Sequence, residues 1–223
     1  MEARPRVLSS SFKCLQLLTT LSEQMIPMSL GTLSELTGQP KGTVHQQLRT
    51  LIEAGYVVQN SGGSYQVSLL TIGLGSAALE QERIGSRVAA GIAALAARSG
   101  ETASLSVLAN PDEIFLLYRV STDSSLLTVL APGSRMPAGS SASGRVLRAF
   151  SVSDDEPQAD ASVIEIRQRG FAVSADEFLI GMTTIAVPVK LPGVGLAALS
   201  LAAPTVRFEQ DKLLTLLTRS RVL

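Results

Sequence analysis

The sequence predicts an α+β protein in which a small helical part precedes a larger part built on an antiparallel sheet. Three observations predict this fold. Residues 1–75 hold three short amphipathic segments with helical spacing, followed by two β-rich runs around a glycine turn. Residues 76–98 are rich in alanine, and the first part of this segment, residues 76–90, is a predicted helical link. Residues 91–223 hold strand-type segments interspersed with helices, without a regular βαβ alternation, which favours antiparallel pairing.

The composition is that of a soluble chain with room for two modest domains. It has 223 residues, of which 45% are hydrophobic. Its one cysteine, Cys14, excludes a disulfide within the chain, and the start MEARPRVLSSSF lacks the apolar core of a secretory signal. No apolar run approaches the roughly 18 residues that cross a bilayer. We therefore expect a protein of the reducing cytoplasm with no membrane partner.

The first three segments are predicted helices with one apolar face each. The first covers residues 12–21 and begins in a serine cluster that can cap it; the second runs from Ser29 to Gly38. Pro40 opens the third helix, which ends at Gly55. The residues expected to face inward are Phe12, Leu15, Leu18, Leu21, Leu30, Leu33, Leu36, Val44, Leu48, Leu51 and Ile52.

The outer face of the third helix is polar and carries no carboxylate before Glu53. Its residues are Lys41, Thr43, His45, Gln46, Gln47 and Arg49. Such donors and acceptors suit base edges and phosphates. A predicted hairpin follows, with Asn60 and Ser61 at its tip. Three helices and a hairpin indicate a winged helix-turn-helix whose third helix enters the major groove of double-stranded DNA. The alternative is a small helical bundle with a merely solvated face.

Charge alone does not indicate a nucleic-acid partner. Residues 1–75 carry 5 basic and 4 acidic side chains and the rest 14 and 15, which gives +1 and −1. Because counterion release scales with the number of phosphates contacted, DNA affinity requires local placement of charge and a dimer that doubles it.

The stretch TGQPKGTVHQQLRTLIEAGYV resembles the helix-turn-helix of the IclR family of bacterial transcription regulators, which carry T-G-x-P-K-S-T-V-H-R-L-L. The resemblance continues in family order through SGETASLSV, LYRVSTDSSLLTVLAPGSRMPAGSSASGRVLRAF, IRQRGFAVSADEFLIGMTTIAVPV and GLAALSLAAP. Three residues depart from the family near the DNA: Gly42 replaces serine, Gln46 replaces arginine, and Lys13 replaces the arginine of the first helix. Because Lys13 stands at the position of this arginine, the resemblance makes it a further candidate DNA contact. Losing the arginine removes a charge and Gly42 weakens the helix start.

The alanine-rich segment 76–98 predicts helical structure between the two parts. Leu79, Ile84, Val88, Ile92 and Leu95 lie roughly on one face, and Gly85 and Gly91 indicate two helices or a bend. Packing on its own domain is one interpretation. The resemblance implies that residues 76–90 also pair with a second subunit, giving a homodimer or tetramer.

The second part contains five predicted strands and a glycine-serine loop. The strands are ETASLSVL, EIFLLYRV, LLTVL, MTTIAVPVKL and GLAALSLAAP, and the helices are SGRVLRAF, SVIEIRQRG and FEQDKLLTLLTRSRVL. The resemblance implies a GAF-like domain, residues 91–223, that binds a small effector. An enzyme is disfavoured because the one histidine, His45, lies in the proposed DNA helix and no nucleophile elbow, metal motif or phosphate loop is present. No cofactor or metal is expected.

The loop 139–144 is the best local signal for a pocket, since small residues let backbone N–H groups approach a ligand. A flexible connection capped by Ser141 or Ser143 is the alternative. The resemblance implies a pocket formed by this loop, the segment after G-F-A-V and two strands. Its candidate residues are Met136, Gly139, Ser140, Ser141, Ser174, Thr184, Ile185 and Ser200, with Leu147 as a further apolar wall.

Departures from the family indicate a more open pocket with fewer polar anchors. Ser174 stands where relatives often have an acid, Thr184 where several have cysteine, and Ala202 where a second serine is common. A stretch of about twenty residues that the family carries between Phe150 and Ser162 is missing, which would leave the pocket more open. We expect a DNA-binding regulator whose effector is a small organic molecule, for example a carboxylic or aromatic acid. The alternative is a DNA-binding protein whose second domain only oligomerises.

Overall fold

The computed structural model describes residues 8–24, 26–82, 84–121, 130–151 and 160–220. Contacts divide the chain into two compact units, Met1–Ala78 and Leu79–Leu223. Of the predicted strand at 126–130, only Leu130 is among the described residues, and the neighbouring acids Asp154, Asp155 and Glu156 of the sequence lie outside them.

The first unit contains three helices and a two-stranded hairpin. The helices are α1 (Ser9–Ser22), α2 (Leu30–Thr37) and α3 (Lys41–Glu53), and the strands are β1 (Val57–Gln59) and β2 (Tyr65–Val67). The Ser29 hydroxyl caps α2 by accepting a hydrogen bond from the amide of Thr32, and Gly38 ends the helix with a φ of 64°. The β1–β2 pairing is antiparallel. This arrangement confirms the predicted winged helix-turn-helix.

The core of the first unit differs from the predicted core on one face of α1. Leu17 and Leu21 are buried, with Cys14 and Leu18 packed beside them, whereas Phe12 and Leu15 are 52% and 62% exposed. Both sets have helical spacing, so periodicity could not choose between them. The predicted serine cap of α1 is also absent, because Leu8 occupies the cap position and no side chain bonds there.

Two predicted inward residues of α2 and α3 are likewise outside the core. Leu36 is 52% exposed and Ile52 is 37% exposed, while Leu33, Val44 and Leu48 are fully buried. Each exposed side chain lies near the end of its helix, where fewer neighbours cover it.

Two helices follow the hairpin, α4 (Thr71–Gln81) and α5 (Ser86–Ser99). The interruption falls next to Gly85, while Gly91 lies inside α5. Every residue of α4 is exposed or half-exposed, in contrast to α5, which buries Val88, Ile92 and Leu95 against the sheet.

In the second unit, the described residues form one antiparallel sheet of six strands in the order β5-β4-β3-β8-β7-β6. These are β3 (Thr102–Asn110), β4 (Glu113–Val120), β5 (Arg135–Pro137), β6 (Ala172–Ala175), β7 (Met182–Leu191) and β8 (Gly195–Pro204). Helices α6 (Ala142–Ser151) and α7 (Ala161–Arg169) precede β6, and α8 (Gln210–Thr218) closes the described chain after a short 3-10 turn, Thr205–Arg207. The antiparallel sheet with interspersed helices confirms the α+β prediction.

The sheet separates two apolar cores. On one face, α5 and α8 pack on residues such as Leu105, Ile185 and Leu199. On the other face, α6 packs Val146 and Leu147 against the sheet. Because side chains alternate along a strand, each strand supplies residues to both cores. The α6 face also carries the polar residues described next.

Candidate functional site

The outer face of α3 is the first candidate site. Lys41, Thr43, His45, Gln46 and Arg49 are all exposed on it, and the nearest carboxylate in the helix is Glu53 at its last position. The helix begins without a side-chain cap, since Pro40 precedes it and offers only its carbonyl oxygen, which accepts bonds from Thr43 and Val44. The arrangement presents a row of hydrogen-bond donors and acceptors, with no carboxylate on α3 before Glu53.

Gln47 differs from the other candidates of α3. It is half-buried, and its Nε2 donates to Oε1 of Gln39 at 2.9 Å. Its own Oε1 is buried and has no hydrogen-bond partner among the described residues. The side chain is therefore turned into the first unit and ties α3 to the turn before it, which leaves Gln46 as the glutamine that projects outward.

Helix α1 contributes to this side of the unit through a shallow cleft against α3. The cleft is lined by Ser10, Ser11, Cys14, Leu15, Thr43, Gln46, Gln47 and Thr50. Lys13 is exposed but does not line the cleft. Burial raises the pKa of the Cys14 thiol, whose sulfur lies 4.0 Å from the carbonyl oxygen of Gln47.

The hairpin tip holds Asn60 and Ser61, both exposed. Oδ1 of Asn60 accepts hydrogen bonds from the amides of Gly62 and Ser64, each at 3.0 Å. Asn60 thus closes the turn with its side-chain oxygen.

The glycine-serine loop 139–144 is fastened tightly to the start of α6. The Ser141 hydroxyl donates to the carbonyl of Pro137 at 2.8 Å and accepts from the amide of Gly144 at 3.1 Å. A Cβ atom at Gly144 would lie 2.3 Å from the backbone of Ala138, so only glycine fits there. The Ser174 hydroxyl donates to the carbonyl of Ser140 at 2.8 Å and joins the loop to β6.

Neighbouring carboxylates also have structural roles. Glu177 forms an ion pair with Arg145, whose Nε donates to the carbonyl of Gly139 at 2.9 Å. Asp176 adopts a positive φ of 57°, and its Oδ1 accepts bonds from Gly181 and Thr205. The two acids hold the segment after β6 in place and neither lines the pocket.

A pocket lies between this loop and the sheet, with a cavity volume of about 70 Å³. It is lined by Thr102, Ser104, Ser106, Leu116, Arg119, Leu130, Met136, Ser141, Ala142, Ser143, Ser174, Phe178, Leu179, Met182, Thr184, Ser200 and Ala202. Five of the predicted residues are therefore brought together, namely Met136, Ser141, Ser174, Thr184 and Ser200.

Four predicted pocket residues do not line the cavity. Ile185 is fully buried in the core beneath α5 and α8, because its neighbour Thr184 faces the pocket and the next residue of a strand points to the other side. Leu147 is buried between α6 and the sheet. Gly139 lines a separate groove beside α7, and Ser140 contributes only its carbonyl to the bond with Ser174.

Strand pairing explains how distant residues meet on the pocket floor. Ser104 on β3 pairs with Arg119 on β4 and with Ser200 on β8, so these three side chains form one row across the sheet. A parallel row runs through Thr102, Ala202, Thr184 and Ser174. Directly paired residues project from the same face, so both rows point at the cavity.

Sequence reasoning missed Arg119, although the structure places it in the pocket. Its Nη1 donates to the carbonyl of Leu130 at 3.0 Å, and burial lowers the pKa of the guanidinium. The register of β3 and β4 shifts between Leu105 and Ser106, which leaves Leu117 as an extra residue. This bulge lets Leu116 and Arg119 face the same side, contrary to strict alternation.

The floor hydroxyls fall into two groups. Those of Ser141, Ser174 and Thr102 bond to the protein, the last to Ser121 at 3.1 Å. By contrast, the Ser106 hydroxyl is buried without a hydrogen-bond partner in the described part of the chain. A buried hydroxyl without a partner is costly, so its position on a cavity wall indicates a place for a polar ligand group or water.

Across the described ranges, no helix combines the length and the apolar character needed to cross a membrane.

Segments of both units match domains of known proteins. Residues 12–61 match the IclR helix-turn-helix domain, and residues 76–161 match the C-terminal domain of the bacterial transcriptional regulator IclR. The DNA-binding transcriptional repressor YiaJ of Escherichia coli is 30% identical, over 93% of this chain and 82% of YiaJ.

Solved structures share the fold. An IclR transcriptional regulator from Alicyclobacillus acidocaldarius has a TM-score of 0.80 at 22% identity, covering 96% of each chain. An IclR homologue from Microbacterium hydrocarbonoxydans, solved with 4-hydroxybenzoate, has a TM-score of 0.75 at 20% identity, covering 95% of each chain. The chain belongs to the IclR family of bacterial transcriptional regulators, with a helix-turn-helix DNA-binding domain followed by the family's C-terminal domain.

Proposed function

We propose that the protein recognises an operator in double-stranded DNA through α3 and changes its DNA binding when a small organic effector occupies the pocket of the second unit. The pocket carries the effector part of this proposal, because the buried Ser106 hydroxyl without a partner lies on its wall. A second unit that served only for oligomerisation would not need a buried hydroxyl without a partner on a cavity wall. The homologue solved with 4-hydroxybenzoate supports the same assignment by analogy.

The exposed residues of α3 support the DNA part. Lys41 would contact a phosphate, whereas Gln46 has the amide geometry that reads adenine edges. Lys41→Ala should weaken binding to all sequences and reduce the salt slope by about 1 for each bound subunit, because each subunit loses one phosphate contact. Gln46→Ala should relax sequence preference by about 1 to 3 kcal/mol at one position.

The test is fluorescence anisotropy with DNA from upstream of the protein's own gene. A triple variant with alanine at Lys41, Thr43 and Gln46 should lose specific binding. Lys190→Ala, which removes an exposed positive charge from β7 in the second unit, is the matched control and should bind as wild type does. Equal affinity of the triple variant and the wild type would refute the assignment of α3.

We further propose a homodimer, since one unit with net charge +1 makes too few phosphate contacts alone. Our sequence prediction places the interface at residues 76–90. The exposed apolar residues extend it upstream, because Leu69, Leu70, Ile72 and Leu74 are between 56% and 82% exposed around the start of α4. A helix with no fully buried residue in its own chain is suited to a partner.

Light scattering should give at least twice the 23.4 kDa of one chain. The double variant Ile72→Glu with Leu74→Glu should shift the mass toward the monomer and weaken DNA binding in parallel. Glu80→Gln, on the same helix, is the control. A strict monomer at micromolar concentration would contradict the dimer, although α3 could still bind DNA weakly.

For the effector, Ser141→Leu with Ser200→Leu should fill the pocket. Calorimetry with aliphatic and aromatic acids should detect binding to the wild type and none to this variant. If a compound binds both equally well, the site lies elsewhere. If nothing binds and DNA affinity is unaffected by any compound, the second unit acts by oligomerisation alone.

A further inference from the structure

We propose that Gln39, in the turn between α2 and α3, donates a hydrogen bond from its side-chain amide to a DNA phosphate, and that Gln47 holds it in position for this contact. The inference rests on the proposed recognition of DNA by α3 and adds one contact to it. Gln39 is not among the DNA contacts predicted from the sequence.

The hydrogen bond between the two glutamines determines which end of Gln39 is left for a partner. Nε2 of Gln47 donates to Oε1 of Gln39 at 2.9 Å, whereas Nε2 of Gln39 bonds to no described residue. Turning both amides around would bury an NH2 group of Gln47 without an acceptor, where the structure buries one carbonyl oxygen. That arrangement is the costlier one, so Gln39 offers its two N–H donors.

Stability alone does not account for a glutamine at the position of Gln47. Its buried Oε1 has no partner among the described residues, and this cost offsets the gain from the bond to Gln39. The turn is also fixed by other means, because Gly38 ends α2 with a φ of 64° and the Ser34 hydroxyl donates to the backbone carbonyl of Gln39 at 2.6 Å. The bond between the glutamines therefore indicates a role in orienting the amide of Gln39.

The position of Gln39 in the chain suits a contact with the DNA backbone. It precedes Pro40 and the exposed Lys41, at the amino end of α3. A recognition helix turns this end toward the major groove, so the residues beside it lie near the phosphates. Side-chain amides supply part of the hydrogen bonds that proteins make to phosphate oxygens.

The engaged oxygen of Gln39 favours a phosphate over a base. A glutamine that reads adenine uses both ends of its amide, one as donor and the other as acceptor. Oε1 of Gln39 is turned toward the half-buried side chain of Gln47, which leaves a group that only donates, and a phosphate oxygen only accepts. The exposed Gln46 has both ends of its amide available for a base.

Fluorescence anisotropy of the full chain with DNA from upstream of its own gene tests the contact. Gln39→Ala should weaken binding by about tenfold for each bound subunit, as expected for one hydrogen bond to a charged group. The loss should be the same on operators with single base changes. The salt slope should not change, because an uncharged side chain displaces no counterion, in contrast to Lys41→Ala.

Gln24→Ala is the matched control. Gln24 is also a half-buried glutamine of the first unit, and its Nε2 donates to the backbone carbonyl of Thr20 at 3.2 Å. It should bind DNA as the wild type does. Melting curves establish that each variant is folded at the temperature of the assay, and Gln39→Met, which keeps the length of the side chain, should weaken binding as Gln39→Ala does.

Gln47→Leu tests the positioning role, because it keeps the volume of the side chain and removes the bond to Gln39. It also removes the buried oxygen without a partner, so the melting temperature should stay the same or rise. DNA binding should nevertheless fall almost as far as in Gln39→Ala. Combining the two substitutions should weaken binding no further than Gln39→Ala alone, since both act on one contact.

The outcomes separate this contact from recognition by α3 itself. Wild-type affinity of a folded Gln39→Ala overturns the contact, and a loss confined to one operator base would mean that Gln39 reads a base. Wild-type binding by Gln47→Leu, or additive losses in the double variant, overturns the positioning role. Recognition by α3 fails only if the triple variant of Lys41, Thr43 and Gln46 binds as the wild type does.

Discussion

Helix α3 and the pocket floor bring their functional side chains together in different ways. On α3, Thr43 and Gln46 are close in the chain, and their spacing of three residues places them on the same side of the helix. On the floor, Ser104 and Ser200 are neighbours across β3 and β8, although most of the second unit separates them in the sequence. One site depends on local spacing, and the other depends on strand register.

The two sites also differ in how much folding energy the replacement of their residues should cost. The candidate DNA contacts of α3 are exposed, with the exception of Gln47, so replacing them should cost little folding energy. In the pocket, Ser141 and Ser174 are buried and bonded, so replacing them should change stability and binding together. The four predictions below test this contrast, in order of decreasing expected effect.

Gly144→Ala should have the largest effect. The added methyl group would meet the backbone of Ala138 at 2.3 Å, and neither the loop nor α6 can give way without losing the bonds of Ser141. We expect a loss of about 3 kcal/mol in the free energy of unfolding of the second unit. Urea unfolding followed by circular dichroism measures it. A loss below about 0.5 kcal/mol would show that the loop adapts, contrary to a rigid pocket.

Two serines of the pocket should change stability in opposite directions. Ser106→Ala removes a buried hydroxyl without a partner and should stabilise the ligand-free protein by about 1 kcal/mol, whereas Ser141→Ala removes two hydrogen bonds and should destabilise it by about 1 to 2 kcal/mol. Parallel melting curves of the two variants check this. Shifts of the same sign would mean that both hydroxyls are satisfied in solution.

Two adjacent glutamines of α3 should differ in what their replacement changes, because Gln47 is half-buried and bonded whereas Gln46 is exposed. Gln47→Ala breaks the bond to Gln39 and should cost about 1 kcal/mol of stability while leaving base preference intact. Gln46→Ala should change base preference and leave stability within about 0.5 kcal/mol. Melting curves and binding to operators with single base changes separate the two. If Gln47→Ala alters base preference and Gln46→Ala does not, the outward glutamine has been misassigned.

The smallest expected change is at Gly42, the second residue of α3. A Cβ there would meet no atom within 4 Å, and its backbone is helical, so Gly42→Ala should stabilise the first unit by about 0.5 kcal/mol. Differential scanning calorimetry of the wild type and the variant tests this. A destabilising effect would reveal a contact that the isolated chain lacks, such as one made in a dimer.

The contrast between local spacing and strand register also explains which elements could be predicted from the sequence. Strands β7 and β8 have the predicted bounds, Met182–Leu191 and Gly195–Pro204, because each is a long apolar run ended by a glycine or proline turn. Strands β5 and β6, of three and four residues, were not predicted, since such short runs have no measurable period. The face of α1 was predicted wrongly because two overlapping apolar stripes share Leu18 and Leu21.

The candidate pocket was predictable only in part. Ser174, Thr184 and Ser200 could be located through the resemblance, and the loop through its small residues. Arg119 could not, because a bulge at Leu117 turns it toward the cavity against the alternation that its sequence implies. Ile185 was misplaced for the opposite reason: regular alternation holds in β7, so a residue beside Thr184 must face away.

The thiol of Cys14 provides a kinetic reporter for the first unit. It is the chain's one cysteine, it is half-buried between α1 and α3, and its raised pKa keeps it protonated at neutral pH. The thiol lines the shallow cleft between α1 and α3, so an alkylating reagent reaches it from that cleft, and each chain takes up one label. The rate of labelling therefore measures how accessible the cleft is. DNA bound along α3 should slow that rate, which makes mass spectrometry of a single thiol a direct measure of operator occupancy.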